Sequence, residues 1–220
     1  MQMQVNNIFK VIIIILLGVL GGAIAWLFAS KNQSFVQVIN KEEKVYIEEN
    51  AALINTIKNI KDSVVILKTE YNNKEIRGFG MVLTSDGLVV TLAENIPQGS
   101  VSNITIKGEE NISYQVLKRD LGDNLALIKV DKNNLQTKEF FDLSKLGMGE
   151  RVFILSDIAN EGIVKIFNDD LIKTSIIESE IINGAPVFNI KGEMLGIGLK
   201  NASSAIDIIP VSKIKSFAGL

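Results

Sequence analysis

Any acid–base or nucleophilic chemistry in this chain must proceed without imidazole or thiol, because its 220 residues include no His and no Cys. That removes the imidazole general base, and with it any Ser-His-Asp triad, whatever the fold. Disulfides, thiolate zinc sites and cysteine nucleophiles go with the thiol. Carboxylates, lysines and hydroxyls remain. Ser212-Lys-Ile-Lys215 has the S-x-x-K spacing by which some acylating enzymes set a Lys beside a Ser, but its companion motifs are missing, and chance is the plainer reading. The pairs Glu48-Glu49, Glu109-Glu110 and Asp169-Asp170 are carboxylates that could hold a cation; solvated turns or a helix start explain them as well. Gly78-Phe-Gly80 and Gly196-Ile-Gly198 do not continue as a G-x-G-x-x-G phosphate loop and read as tight turns or barrel corners. No cofactor and no metal are expected. With 23 basic and 25 acidic residues the formal charge is −2, and no basic excess points to nucleic acid.

The elements that would position these groups begin with an apolar run. Val11–Ala29 is 19 residues without a charge, about 28 Å as a helix and close to the thickness of a bilayer's hydrocarbon core. Lys10 and Lys31 flank it and Trp26 lies near its far end, as interfacial aromatics do. The reading is a tail over 1–10 and an uncleaved transmembrane signal anchor over 11–29, which makes the membrane the first partner. The rival is a signal peptide cleaved after Ala23-Ile24-Ala25. Gly18 and Gly22 have a helix-pairing spacing that small residues in any membrane helix also show. Residues 30–61 read as a tether followed by a short helix near Glu48–Asn59, with Ala51, Ile54 and Ile57 on one face.

Beyond Asp62 the pattern changes to short β-rich runs: Ser63–Thr69, Gly80–Thr84, Leu88–Leu92, Ser102–Lys107, Ser113–Lys118 and Leu125–Val130. Six more follow: Arg151–Leu155, Gly162–Phe167, Leu171–Ile177, Pro186–Ile190, Glu193–Leu199 and Ala205–Ile209. Ser85-Asp86-Gly87 between two apolar runs is a hairpin signal. Many short strands without long helical stretches predict an all-β domain.

Three segments carry a family resemblance. Gly78-Phe-Gly-Met-Val-Leu-Thr-Ser-Asp-Gly-Leu-Val-Val-Thr91 is the first. Arg119-Asp-Leu-Gly-Asp-Asn-Leu-Ala-Leu-Ile-Lys-Val130 is the second. Thr174-Ser-Ile-Ile-Glu-Ser-Glu-Ile-Ile-Asn-Gly-Ala-Pro-Val187, with Lys191–Ile197 after it, is the third. In order and spacing they resemble the trypsin-like serine proteases, in particular the HtrA/Deg branch, over roughly residues 60–215. The resemblance implies a double antiparallel β-barrel, the first barrel over 62–132, a linker over 133–147 and the second barrel over 148–217.

The resemblance also implies a missing active site. The family's base lies three residues after the Thr of its first motif; from Thr91 that is Glu94. Its orienting Asp precedes a Leu-Ala pair; here Asn124 precedes Leu125-Ala126. Its nucleophilic Ser lies nine residues after the Thr of the third motif; from Thr174 that is Asn183, with Gly184 next. The oxyanion-loop Gly two residues before the nucleophile is Ile181, and a β-branched residue fits poorly where the backbone must be unusual. An Asn amide offers no hydroxyl or thiol to deprotonate. What the resemblance implies is therefore an inactive, membrane-anchored homologue with its β domain outside the cytoplasm of a bacterial-type envelope. Its roles would be binding, scaffolding or regulation, with an extended peptide or an envelope protein in the cleft between barrels. The family usually adds a PDZ domain, and none is expected in the few residues beyond Pro210. The alternative is an active endopeptidase with a rearranged Ser-Lys site.

Overall fold

The structure, a computed structural model, describes residues 15–27 and 50–220. Residues 15–27 are one helix. The expected span over Val11–Ala29 lies partly outside the described residues, and among the described residues no helix is long and apolar enough to cross a membrane. The tether over 30–46 lies outside them as well. The short helix expected near 48–59 is present over 50–60 and tightens into a 3₁₀ turn at Lys61–Ser63. Its Ile60 is buried, with Leu53 and Ile57 packed beside the same core.

Strands β1 (Val64–Tyr71), β2 (Lys74–Val82), β3 (Leu88–Leu92), β4 (Val101–Ile106), β5 (Tyr114–Asp120) and β6 (Leu125–Val130) make one antiparallel sheet, in the order β4-β1-β2-β3-β6-β5. Strands β7 (Arg151–Leu155), β8 (Ala159–Phe167), β9 (Ile172–Ile177), β10 (Pro186–Asn189), β11 (Met194–Lys200) and β12 (Ala205–Pro210) close a barrel in the order β10-β11-β12-β9-β8-β7.

Burial follows the period of two that strands impose. In β9, Ile172, Thr174 and Ile176 are buried while Lys173, Ser175 and Ile177 face out. The runs that are apolar throughout are covered on both faces. Val65, Val89, Ala126 and Ile128 point into a core inside the first sheet. Their neighbours Val64, Val90, Leu125 and Leu127 join the larger core of the closed barrel. The first sheet therefore has one wall shared with the second, which is why β3 and β6 are buried along nearly their whole length.

The structure corrects two expectations. The first barrel does not close by strand pairing: β4 and β5 are the ends of the ladder. Ile106 and Glu109 begin a hairpin by exchanging both backbone bonds, and Ile112 donates to Ile104 at 3.1 Å. Asn111 between them takes a left-handed φ of 58°. Such a residue turns the strand out of register, so β5 continues against β6 alone. Second, Val211–Ala218 is a helix and not part of the strand-built barrel. It buries Val211 and Ile214, and ends at Gly219 in the left-handed region with its N–H on Lys215 O. Its Lys213 lies 2.9 Å from both Asp123 of the β5–β6 turn and Asp170 of the β8–β9 turn, one acid from each sheet. The paired carboxylates, Asp123 first, hold the ammonium above its ordinary pKa.

Candidate functional site

The seam between the two sheets is opened by glycine. Gly78 lies within β2, and a Cβ there would overlap the side-chain amide of Asn95. Gly78 is thus no turn or corner, as the sequence suggested; its missing side chain is the slot in which Asn95 sits. Asn95 closes a 3₁₀ turn, Ala93–Asn95, that follows β3, and is 1% exposed. Its Nδ2 donates to Asn183 O at 2.9 Å, to Thr91 Oγ1 at 3.1 Å and, at longer range, to Phe79 O at 3.4 Å. Every partner is an acceptor, since the Thr91 hydroxyl commits its proton to Phe79 O at 2.6 Å, and this fixes which end of the amide is nitrogen. The Asn95 backbone carbonyl accepts from Thr69 Oγ1, itself paired with Ser102. Phe79 N–H donates to Asn183 O at 2.9 Å, so the same carbonyl is held twice. Asn95 carried no motif signal in the sequence; its hub position comes only from the fold.

Around this buried hub stand the residues the sequence singled out. Asn183 Nδ2 donates to Glu94 Oε1 at 2.8 Å, and Asn183 Oδ1 accepts from Lys200 N–H at 3.1 Å. Asn124 Oδ1 accepts from Glu94 N–H at 3.1 Å, while its backbone O accepts from Ala93 N–H at 3.0 Å. Asn124 does this from a left-handed φ of 53°, a conformation that Asn tolerates better than most residues. Glu94, Asn124 and Asn183 are thus brought together. Asn124 grips the backbone of Glu94 and not its carboxylate. Gly184 has φ +84°, and its N–H donates to Gly198 O at 2.8 Å. Ile181 is half exposed and brings no polar side chain to the cluster, while Ile182 beside it is fully buried.

Two charged residues set the loop before Asn183. Lys200 Nζ donates to Ser179 O at 3.0 Å and to Glu180 O at 3.3 Å. The Glu178 carboxylate accepts from Glu180 N–H and from Asn160 Nδ2, each at 3.0 Å. Those bonds, the backbone one foremost, keep Glu178 below the ordinary carboxylate pKa. A depressed folded pKa contributes stability at neutral pH that disappears as pH falls through it. Acidification should loosen residues 178–183, and Glu178→Gln should lose about 1 kcal/mol at neutral pH, since it removes a charge-assisted acceptor. Denaturation across the acidic range measures this: the wild type should lose its advantage over the variant as the carboxyl protonates.

The side chains of the cluster are a carboxylate and amides, with no thiol and no free hydroxyl among them. The Thr91 hydroxyl is buried and committed. No hydrogen bond joins Ser212 and Lys215, which stand exposed on the C-terminal helix. Among the described residues no group of three or more acidic side chains could hold a metal ion.

No family model matches the chain. It is similar to a probable periplasmic serine endoprotease DegP-like from Pseudomonas putida, 28% identical over 134 residues, 54% of this chain and 28% of that protein. It is likewise similar to the DegP-like protein of Halomonas elongata, 25% identical over 134 residues, 54% and 28% of the two chains. Serine protease HTRA1A of Danio rerio is 28% identical over 173 residues, 68% of this chain and 36% of that one. The chain spans about a third of the length of these relatives.

Proposed function

We propose that this chain, a relative of the HtrA/DegP serine endopeptidases, is a catalytically silent one whose β domain serves binding, scaffolding or regulation in a cell envelope. The observation that carries the reading is the Glu94–Asn183 bond. Glu94, Asn124 and Asn183 occupy the places where the resemblance puts base, orienting acid and nucleophile, and the two ends of the Asn183 amide are engaged by Glu94 and Lys200. A side chain held at both ends of its amide by the protein, with no hydroxyl or thiol to become a nucleophile, supports a structural use of the site.

Anchoring to a membrane through Val11–Ala29 is part of the proposal. It is supported by the uncharged run and by the helix over 15–27, whose large apolar side chains are all exposed. The relatives from Pseudomonas putida and Halomonas elongata are named as probable periplasmic proteins, which supports a β domain outside the cytoplasm. Strand addition of an extended segment of a partner between the two sheets is the binding mode this architecture offers. Protease protection on intact cells tests the topology, and pull-down from detergent extract tests for the partner.

The decisive experiment is chemical. A serine-directed covalent probe should leave the wild type unlabelled, and Asn183→Ser alone should give no peptidase activity, because no imidazole base is present to take its hydroxyl proton. Restoring Glu94→His, Asn124→Asp and Asn183→Ser together should recover little. Ile181 still disturbs the oxyanion loop, where one donor can be worth about 3 kcal/mol of barrier. Robust probe labelling of the wild type would establish the rival, an active endopeptidase with a Ser-Lys site. Against that rival, Lys200 donates to two backbone carbonyls and Lys213 is neutralised by two aspartates.

A further inference from the structure

Asn183-Gly184 is the one Asn-Gly step in the chain. At such a step the backbone nitrogen of the glycine can attack the Asn side-chain carbonyl carbon. Ammonia leaves, a cyclic imide forms, and water opens it to an aspartate or to the β-linked isomer; the net change is one water consumed and one ammonia released. The attack needs a side chain free to rotate toward the next residue and a following N–H free to lose its proton. The fold withholds both. Gly184 N–H donates to Gly198 O at 2.8 Å. The Asn183 amide is fixed at Nδ2 by Glu94 and at Oδ1 by Lys200 N–H, and its own backbone O is fixed by Phe79 and Asn95.

We propose that Asn183 is a latent deamidation site, locked by the closed junction and released only when the loop that carries it opens, and that the reaction then prevents the junction from closing as before. The product explains the second half. An aspartate in place of Asn183 would present a carboxylate where an amide donor now meets Glu94 Oε1 at 2.8 Å. Two ionised carboxylates cannot share that spacing without repulsion, because neither carries a proton to place between them. The β-linked isomer would also lengthen the backbone by one carbon, just before the positive-φ glycine packed against Phe79 O. The change is one-way, so it would record that the loop had opened. This side-chain chemistry does not depend on the envelope role.

The test uses the full chain, incubated at mildly alkaline pH and followed by peptide mapping with mass spectrometry, beside the same chain held unfolded in urea. In the folded protein Asn183 should deamidate at least about tenfold more slowly than in urea, since exchange-like reactions of a locked segment wait on local opening. Glu94→Ala, which frees Nδ2, should raise the rate at Asn183 and leave the surface asparagines unchanged. Equal rates in the folded and unfolded chain would overturn the lock, and so would a Glu94→Ala rate equal to the wild type's. For the second half, Asn183→Asp should lower the unfolding midpoint at neutral pH, and adding Glu94→Gln should recover most of the loss. An Asn183→Asp midpoint equal to the wild type's, or no recovery in the double variant, would show that the product does not hold the junction apart.

Discussion

Gly184→Ala is expected to unfold well before the wild type in a denaturant titration, with a loss of about 3–5 kcal/mol. Two independent effects lead there. Gly184 holds φ +84°, where a Cβ is strained whatever space surrounds it. Space is also lacking: the new methyl group would overlap Phe79 O and lie 2.7 Å from Asn95 Nδ2. A carbonyl within a strand cannot retreat as a flexible side chain can, so the two sheets must part locally or the loop must refold. Gly149→Ala, with a similar φ of +89° but no atom within 4 Å, should show the backbone effect alone. The difference between the two variants then measures the cost of separating the sheets.

Asn95→Ala is expected to lose about 2–3 kcal/mol, from a small buried cavity and the loss of its donor. The loss is bounded because the acceptors keep other partners: Phe79 N–H still serves Asn183 O, and Thr91 still serves Phe79 O. Asn95→Asp is the sharper variant. It has nearly the same shape but replaces the donor by an acceptor facing two carbonyls and a hydroxyl whose proton is already used. It should be worse than Ala at neutral pH and improve on acidification, as the carboxyl regains a proton to donate. If Asp were milder than Ala, the hub would matter for its volume and not for its hydrogen bonds.

The strands were legible where burial alternates, as in β4 and β9, and where a short apolar run is covered on both faces, as in β3 and β6. The start of β2 was not. Lys74 and Glu75 face solvent and Ile76 and Arg77 are only partly covered, so no apolar pattern marks them. The closed first barrel failed for a local reason, the left-handed Asn111 that leads β5 away from β4. The C-terminal helix left a readable trace. Val211, Ile214 and Phe217 recur every three residues behind Pro210 and before Gly219, a helix pattern with its punctuation; its β-branched residues masked it. Motif spacing led to Glu94, Asn124 and Asn183, which share two direct bonds. Their neighbour Asn95 could not be found that way, because its importance depends on two glycines, one in each sheet's half of the chain, leaving room for it.

The junction has a consequence for rates. Asn95 and Asn183 meet across 88 residues of chain, and Glu94 and Asn183 across 89, whereas the hairpin β1–β2 turns within two. Contacts between remote segments wait for loop closure and form late in folding. Weakening them should leave the folding arm of a chevron nearly unmoved and speed escape from the native state, about fivefold in unfolding rate for each kcal/mol lost. The two sheets would then be held together chiefly by a slow exit, so that the polar seam between them sets the lifetime of the folded protein against forced or proteolytic opening.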